Sequence, residues 1–265
     1  MSVTAITLGI GMILIRLFAQ MPATEELIVE DLSAGDTVPT SGGGTGEWIV
    51  KRVEGDAAAG VIVSGGMYRF QSMVVEASLP VDYPAPTPPA VIELKKYPKV
   101  RRAEFTQTGN PDRGRNRAFW PLFKHIKSRD IAMTSPVELD VEGWDAGTGF
   151  QIVDPRWTMS FLYRSPDLGP VGDDGSVRVT DAEPITVLSI GVRGAYTMDR
   201  LNAAAAELAA WLEQQDEWQI AGDVRALLYN GPYVASRNKW AEVQVPVVKL
   251  ASEAVAMPER SEAHE

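Results

Sequence analysis

Between Val91 and Val248 one order of patterns occurs twice, and a chain that must bury both copies has few ways to fold. In the first copy, Val91 to Phe105 reads as a strand and about Arg115 to Lys127 as a helix. Two alternating segments follow, one with Ile131, Met133, Ser135, Val137 and Leu139 on one side, the next with Trp157, Met159, Phe161 and Tyr163. Successive side chains of a strand point to opposite faces, so each segment has one buried face. In the second copy, Ile185 to Tyr196 reads as a strand, Asp199 to Gln215 as a helix and Ala226 to Tyr229 as a short strand, and Ala241, Val243, Val245 and Val247 alternate in the last. The helices carry apolar stripes, Phe119, Leu122, Phe123 and Ile126 in the first and Leu201, Ala204, Ala205, Leu208 and Leu212 in the second. Pro121 is tolerated only close to a helix start, which puts the start of the first helix near Trp120. One-sided helices need a sheet to cover. The expected class is α+β, a pseudo-two-fold repeat of strand-helix-strand-strand units forming a distorted antiparallel barrel with two helices.

The flanks read differently. Ala5 to Ile15 is apolar except for Thr7, and Arg16 follows. That run is short of the roughly 20 residues a spanning helix needs and suits a signal-peptide core better. Residues 1–21 are therefore expected to be a signal peptide or membrane anchor, giving an exported or membrane-anchored protein on the periplasmic or extracytoplasmic side, with a buried helix as the remaining reading. Residues 22–89 read as linker and a small β-rich extension. Glu25 to Asp36 is acidic, Ser41 to Gly46 is glycine-rich, and Pro80 to Pro89 holds five prolines. Trp48 to Val53 and Val61 to Val75 have strand composition around the Gly65-Gly66 turn signal. The glycine run is no phosphate loop, because no Gly-Lys-Ser/Thr follows it. Residues 90–250 form the main domain, and 251–265 are expected to be a disordered acidic tail.

Composition removes several function classes. A net charge of −10 and a pI near 4.8 argue against nucleic-acid binding, which draws on an excess of Lys and Arg. With no cysteine, disulfides, thiolate catalysis and iron–sulfur clusters are excluded. There is no Gly-x-Ser-x-Gly elbow and no His-Glu-x-x-His pair, and only two histidines. The expectation is a protein that is not an enzyme.

Three segments carry a family resemblance: Val91-Ile92-Glu93-Leu94-Lys95-Lys96-Tyr97-Pro98, the helix with Phe119, Leu122 and Phe123, and above all Ile131-Ala132-Met133-Thr134-Ser135-Pro136-Val137. Tyr229-Asn230-Gly231-Pro232, followed by Arg237-Asn238, Trp240, Glu242 and Val243, matches a closing motif. Over about Val91 to Val248 the chain resembles the SOUL haem-binding family, also called the haem-binding protein 2 type. The resemblance implies a two-fold repeated barrel with two helices and non-catalytic binding of haem or another tetrapyrrole in an open apolar groove, as a carrier or buffer. The alternative is a membrane-tethered ligand-sensing or interaction domain that does not bind haem, with membrane association through the N-terminus.

Haem asks for an apolar slot, cations for its propionates and often an axial ligand. His264 lies in the polar tail, so His125 is the candidate iron ligand, weighed against an ordinary histidine at the stripe boundary. Val91 to Arg129 holds eleven basic residues against three acidic, a local charge of +8 that would draw an anionic ligand or an acidic lipid surface. Arg117 and Lys124 are its candidates for propionates, against the bland reading of a solvated helix face. Met133 could reach iron, and Trp120, lying off the apolar stripe, could stack on a porphyrin. Phe119, Phe123 and Met133 are equally suited to a core.

Overall fold

The structure, a computed structural model, describes residues 48–75, 77–143 and 155–250. The signal or anchor reading at residues 1–21, the acidic and glycine-rich linkers and the tail lie outside the described residues.

Two strands, β1 (Val50–Glu54) and β5 (Ile92–Tyr97), start an eleven-stranded sheet that is otherwise built from the twice-read region. The reading of Val91 to Phe105 as one strand is corrected: Pro98 interrupts it, giving a hairpin of β5 and β6 (Val100–Thr108). After helix α1 (Pro111–Ser128) come β7 (Val137–Val141) and β8 (Arg156–Leu162). A second hairpin, β10 (Val177–Ala182) and β11 (Ile185–Arg193), leads into helix α2 (Met198–Leu212), then β12 (Trp218–Ile220), β13 (Arg225–Leu228) and β14 (Trp240–Lys249). The strand order is β1-β5-β11-β14-β13-β7-β8-β6-β10-β9, with β9 (Gly172–Asp174) at one edge and β12 pairing with β14 off the path. Its pairs are antiparallel, and β1 and β9 do not pair with each other, so the sheet is open where a distorted barrel was expected.

Both helices cover one face of this sheet. Leu122 and Ile126 of α1 and Leu201, Ala205 and Leu208 of α2 meet Ala103, Leu139, Trp157, Met159, Leu188, Val243 and Val245 in one core. α1 starts at Pro111, nine positions before the expected start near Trp120. The Asn110 side chain caps it by accepting from the Asp112 amide, and Pro111 sits at the first turn, where its missing N–H costs nothing. Pro121 then lies inside the helix, and the donor it lacks would have served Arg117, on the solvent side.

The other face is covered by the segment read as a linker. β2 (Ile62–Ser64), β3 (Met67–Phe70) and β4 (Met73–Val75) form a small meander, and Gly65 and Gly66 take φ of 56° and 75° at its first turn, as a two-residue hairpin loop demands. From β4 the chain runs over the sheet as a strap, residues 77–90. Leu79, Pro80, Tyr83, Pro84, Pro86, Thr87 and Pro88 are buried, so a proline-rich linker is the wrong description of this stretch. Prolines suit it physically, since they bring fewer N–H groups that would need partners when buried. The strap packs Leu79 and Tyr83 with Tyr97, Val187, Leu227, Tyr229 and Trp240 in a second core.

Backbone approach is closest at Gly191 in β11, where an added Cβ would lie 2.1 Å from the Pro88 carbonyl oxygen and 2.3 Å from that of Thr87. Gly191 also accepts a hydrogen bond from the Ala90 amide at 3.0 Å. Gly191→Ala should therefore lift the strap and cost about 1–3 kcal/mol, as overpacking does. Urea denaturation checks this, and an unchanged unfolding free energy would show that the strap does not need this contact.

Candidate functional site

On its sheet side α1 is apolar, and its outer side is where the sequence candidates meet. Trp120 is 43% exposed and stands edge-on to Phe119 and Phe123, with ring centroids 5.9 and 6.0 Å away. Phe119 and Phe123 are themselves stacked at 5.6 Å. The indole is thus braced from behind and open in front. Beside it lies an open hollow of about 580 Å³ lined by Trp120, Phe123, Lys124, Lys127 and Ser128. Its floor is aromatic, and the two lysines are exposed. A hollow of this volume falls in the range of small-molecule sites, and the residue set offers a stacking plane with two cations at its margin. Arg117, also exposed, lies one turn before Trp120.

His125 is not part of that arrangement. Five residues separate it from Trp120, which at 100° per residue puts the two side chains about 140° apart around the helix. It is buried at 4% exposure, with both ring nitrogens engaged: Nδ1 is 2.6 Å from Asp174 Oδ2 and Nε2 is 2.8 Å from the Tyr163 hydroxyl. The Asp174 carboxylate can only accept, so Nδ1–H donates to it, and the Tyr163 hydroxyl donates to Nε2 of the neutral imidazole. Asp174 is also held by Arg129 at 3.0 Å. His125, the expected axial ligand, thus has both ring nitrogens engaged in this structure, and its side chain faces away from the hollow. It ties β9, through Asp174, and the residue just after β8, Tyr163, to α1. Met133 packs partly buried against the main core and does not line the hollow. Of the five candidates, Trp120 and Lys124 line the hollow, Arg117 lies one turn before Trp120, and His125 and Met133 are not among the lining residues. Lys127 and Phe123 complete the hollow. The spacing of Lys127, seven positions after Trp120, was the sequence signal for it.

A second polar cluster lies under the strap. Glu242 of β14 is fully buried, and its carboxylate accepts from Lys95 Nζ at 3.1 Å, the Thr87 amide at 2.8 Å, the Tyr229 hydroxyl at 2.7 Å, Gln244 Nε2 at 2.8 Å, and the hydroxyls of Ser189 and Tyr97. Lys95, also fully buried, donates to the Ala85 carbonyl at 2.6 Å, and the Trp240 indole N–H to that of Thr87 at 2.8 Å. Burial alone would raise the pKa of Glu242, but Lys95 and then the Ser189, Tyr229 and Thr87 donors outweigh it and hold the carboxyl at about 2. The same burial, with Glu242 beside them, pushes the Tyr97 and Tyr229 phenols well up. Every donor in this cluster comes from the chain itself, so it acts as a closed latch. The two motif segments brace it from outside. Ser135 links the Ser78 carbonyl, through its amide at 3.0 Å, to the Tyr229 carbonyl, through its hydroxyl at 2.8 Å. Asn230 donates to the Val74 carbonyl at 2.6 Å and accepts from the Trp240 amide at 2.7 Å.

Comparison with known proteins agrees with this architecture. A family model described as SOUL heme-binding protein matches residues 71–246, more than half of the chain and including the strap. The chain belongs to the SOUL haem-binding protein family. Among solved structures, the C-terminal domain of EcmrR is similar at a TM-score of 0.50 and 16% identity, over 60% of this chain and 98% of that one. EcmrR in its DNA complex gives the same score and identity, and there the chain spans only 57% of the longer protein. A hydrolase from Listeria innocua matches at a TM-score of 0.44 and 14% identity, over 62% of this chain and 94% of that one. At such identities the likeness concerns the fold alone. No functionally curated protein matches the chain significantly. Among the described residues there is no cluster suited to a metal ion and no helix long and apolar enough to cross a membrane.

The latch has a signature in pH. Because the carboxyl of Glu242 is depressed in the folded state, its stabilisation is fully present above the ordinary Glu value of 4.5 and is lost as pH falls from there towards 2. Wild-type stability should drop by on the order of 3 kcal/mol across that window from this group. In Glu242→Gln, less stable at neutral pH, the dependence should be correspondingly flatter. Urea titrations at several pH values read both slopes, and parallel curves would show that Glu242 is not depressed.

Proposed function

We propose that this protein binds a tetrapyrrole, haem in the first place, against the outer face of α1, as a non-catalytic carrier or buffer. The observation that carries this reading is the hollow lined by Trp120, Phe123, Lys124, Lys127 and Ser128, in a chain of the SOUL family. Trp120 offers its ring to the macrocycle face, Phe123 forms the apolar floor, and Lys124 and Lys127 are within reach of two propionates along one helix edge. Haem bound there would supply its iron and its visible absorption. The protein's part is to exclude water from one face and to neutralise the carboxylates. In this reading no side chain of the chain ligates the iron, since His125 is engaged elsewhere and Met133 belongs to the core. We further infer that residues 1–21 export or anchor the protein, on the length and apolar character of Ala5 to Ile15. We also infer a doubled ancestral unit. Pairing β5, β6, α1, β7 and β8 with β10, β11, α2, β13 and β14 makes the central strand order read alike from both ends, which supports it.

Haemin titration of the full chain in lipid-free buffer should give a saturable Soret change at micromolar haemin or below. Trp120→Ala should weaken it about tenfold, the order expected for loss of an aromatic stacking partner. His125→Ala should leave the position of the band unchanged. Loss of the band in His125→Ala would restore His125 as iron ligand and overturn the assignment to the hollow. Association that never saturates in the wild type would overturn tetrapyrrole binding altogether.

A further inference from the structure

The positive charge of α1 extends beyond the hollow. At 100° per residue, Arg113, Arg117, Trp120, Lys124 and Lys127 fall within an arc of about 80°, and at 1.5 Å per residue the stripe is about 21 Å long. All five side chains are exposed. None of the four cations has an acidic partner within salt-bridge distance among the described residues. The nearby basic residues Arg115 and Arg129, by contrast, are paired with Asp112 and Asp174. Four unpaired cations on one face of one helix set up a local positive field, in a chain of net charge −10, that draws an anionic partner to this face.

We propose that this face of α1 docks on an anionic lipid surface. A convex helix face about 21 Å long can set all four cations on a plane of phosphates at once, whereas a compact anion reaches one or two of them. The exposed indole in the middle of the stripe fits the same partner. Tryptophan favours the level of the headgroups, with its ring on the acyl side and cations beside it. Double-stranded nucleic acid would meet the same cations but leave Trp120 without an apolar contact, and the acidic remainder of the chain would oppose its close approach. That same acidity orients the protein at an anionic bilayer by turning every other side away. Docking rests on charge, exposure and the indole, independently of tetrapyrrole binding.

The test uses the full chain without any tetrapyrrole, sedimented with phosphatidylcholine vesicles that contain or lack phosphatidylglycerol. Phosphatidylglycerol should strengthen binding, and that increment should weaken as salt is raised. Each cation near an anionic leaflet contributes roughly fivefold, so Arg113→Ala should lower the partition coefficient about fivefold. Arg113 lies two turns before Trp120 and does not line the hollow, so the haemin titration of this variant should be unchanged, which separates the two readings. Lipids brominated near the headgroup should quench tryptophan emission in the wild type and less in Trp120→Phe. Any binding to neutral vesicles reports the apolar N-terminal segment and should be equal in wild type and variant. Equal partition of the two proteins on phosphatidylglycerol vesicles, or no quenching difference at Trp120, would overturn the proposal.

Discussion

The buried pair of Glu242 and Lys95 is the constraint on which the rest of the structure depends. A carboxylate with no solvent contact survives only if its charge is matched and its lone pairs are filled. Here the match comes from β5, and the lone pairs are filled by β14, β11 and the segment just after β13, together with one amide of the strap. Lys95 reaches back to the strap through the Ala85 carbonyl. Loss of Lys95 would strand the Glu242 carboxylate in the interior, and Lys95, which also lies 3.8 Å from the buried Glu93, joins it to the strap, so the strap and the centre of the sheet are held as one unit. Gly191 permits it sterically, because only a residue without Cβ lets the Thr87 and Pro88 carbonyls pass so close.

Closing the second face in this way determines where a ligand can go. The helices fill the first face with an apolar core, and the strap fills the second with a satisfied polar one. The site we propose for a flat, apolar, anionic molecule is the outside of α1, where a braced indole and unpaired cations stand together. The helix is thus used on both sides. Leu122 and Ile126 hold it to the sheet, and the residues half a turn away are released from packing and free to recognise something else.

Much of this was legible from the residues alone. The alternation at Trp157, Met159 and Phe161 and at Val243, Val245 and Val247 marks the face that the helices cover, and the α2 stripe of Leu201, Ala205 and Leu208 points inward as its spacing requires. Of the segments that carried the family resemblance, those around Lys95, Ser135 and Asn230 to Glu242 are now seen to form or brace the latch, while the helix segment belongs to the other core. The strap was not legible, because five prolines in ten residues have the composition of a linker whether or not they are buried. Glu242 and Gln244 lie out of phase with the apolar positions of β14, which in a one-sided strand places them in solvent. Only the strap buries them. The start of α1 was missed because Pro121 was taken as a boundary, while the real signal was the Asn110-Pro111 cap. His125 was read as a possible ligand because its partners, Asp174 and Tyr163, are 49 and 38 residues away in sequence. No local pattern announces them.

If ligand binds outside α1 while the strap stays closed, saturating haemin should slow hydrogen exchange in peptides covering 113–128 and leave it unchanged in peptides covering 77–90. Faster exchange in the strap on adding haemin, with no protection of α1, would place the ligand beneath the strap and contradict binding outside α1.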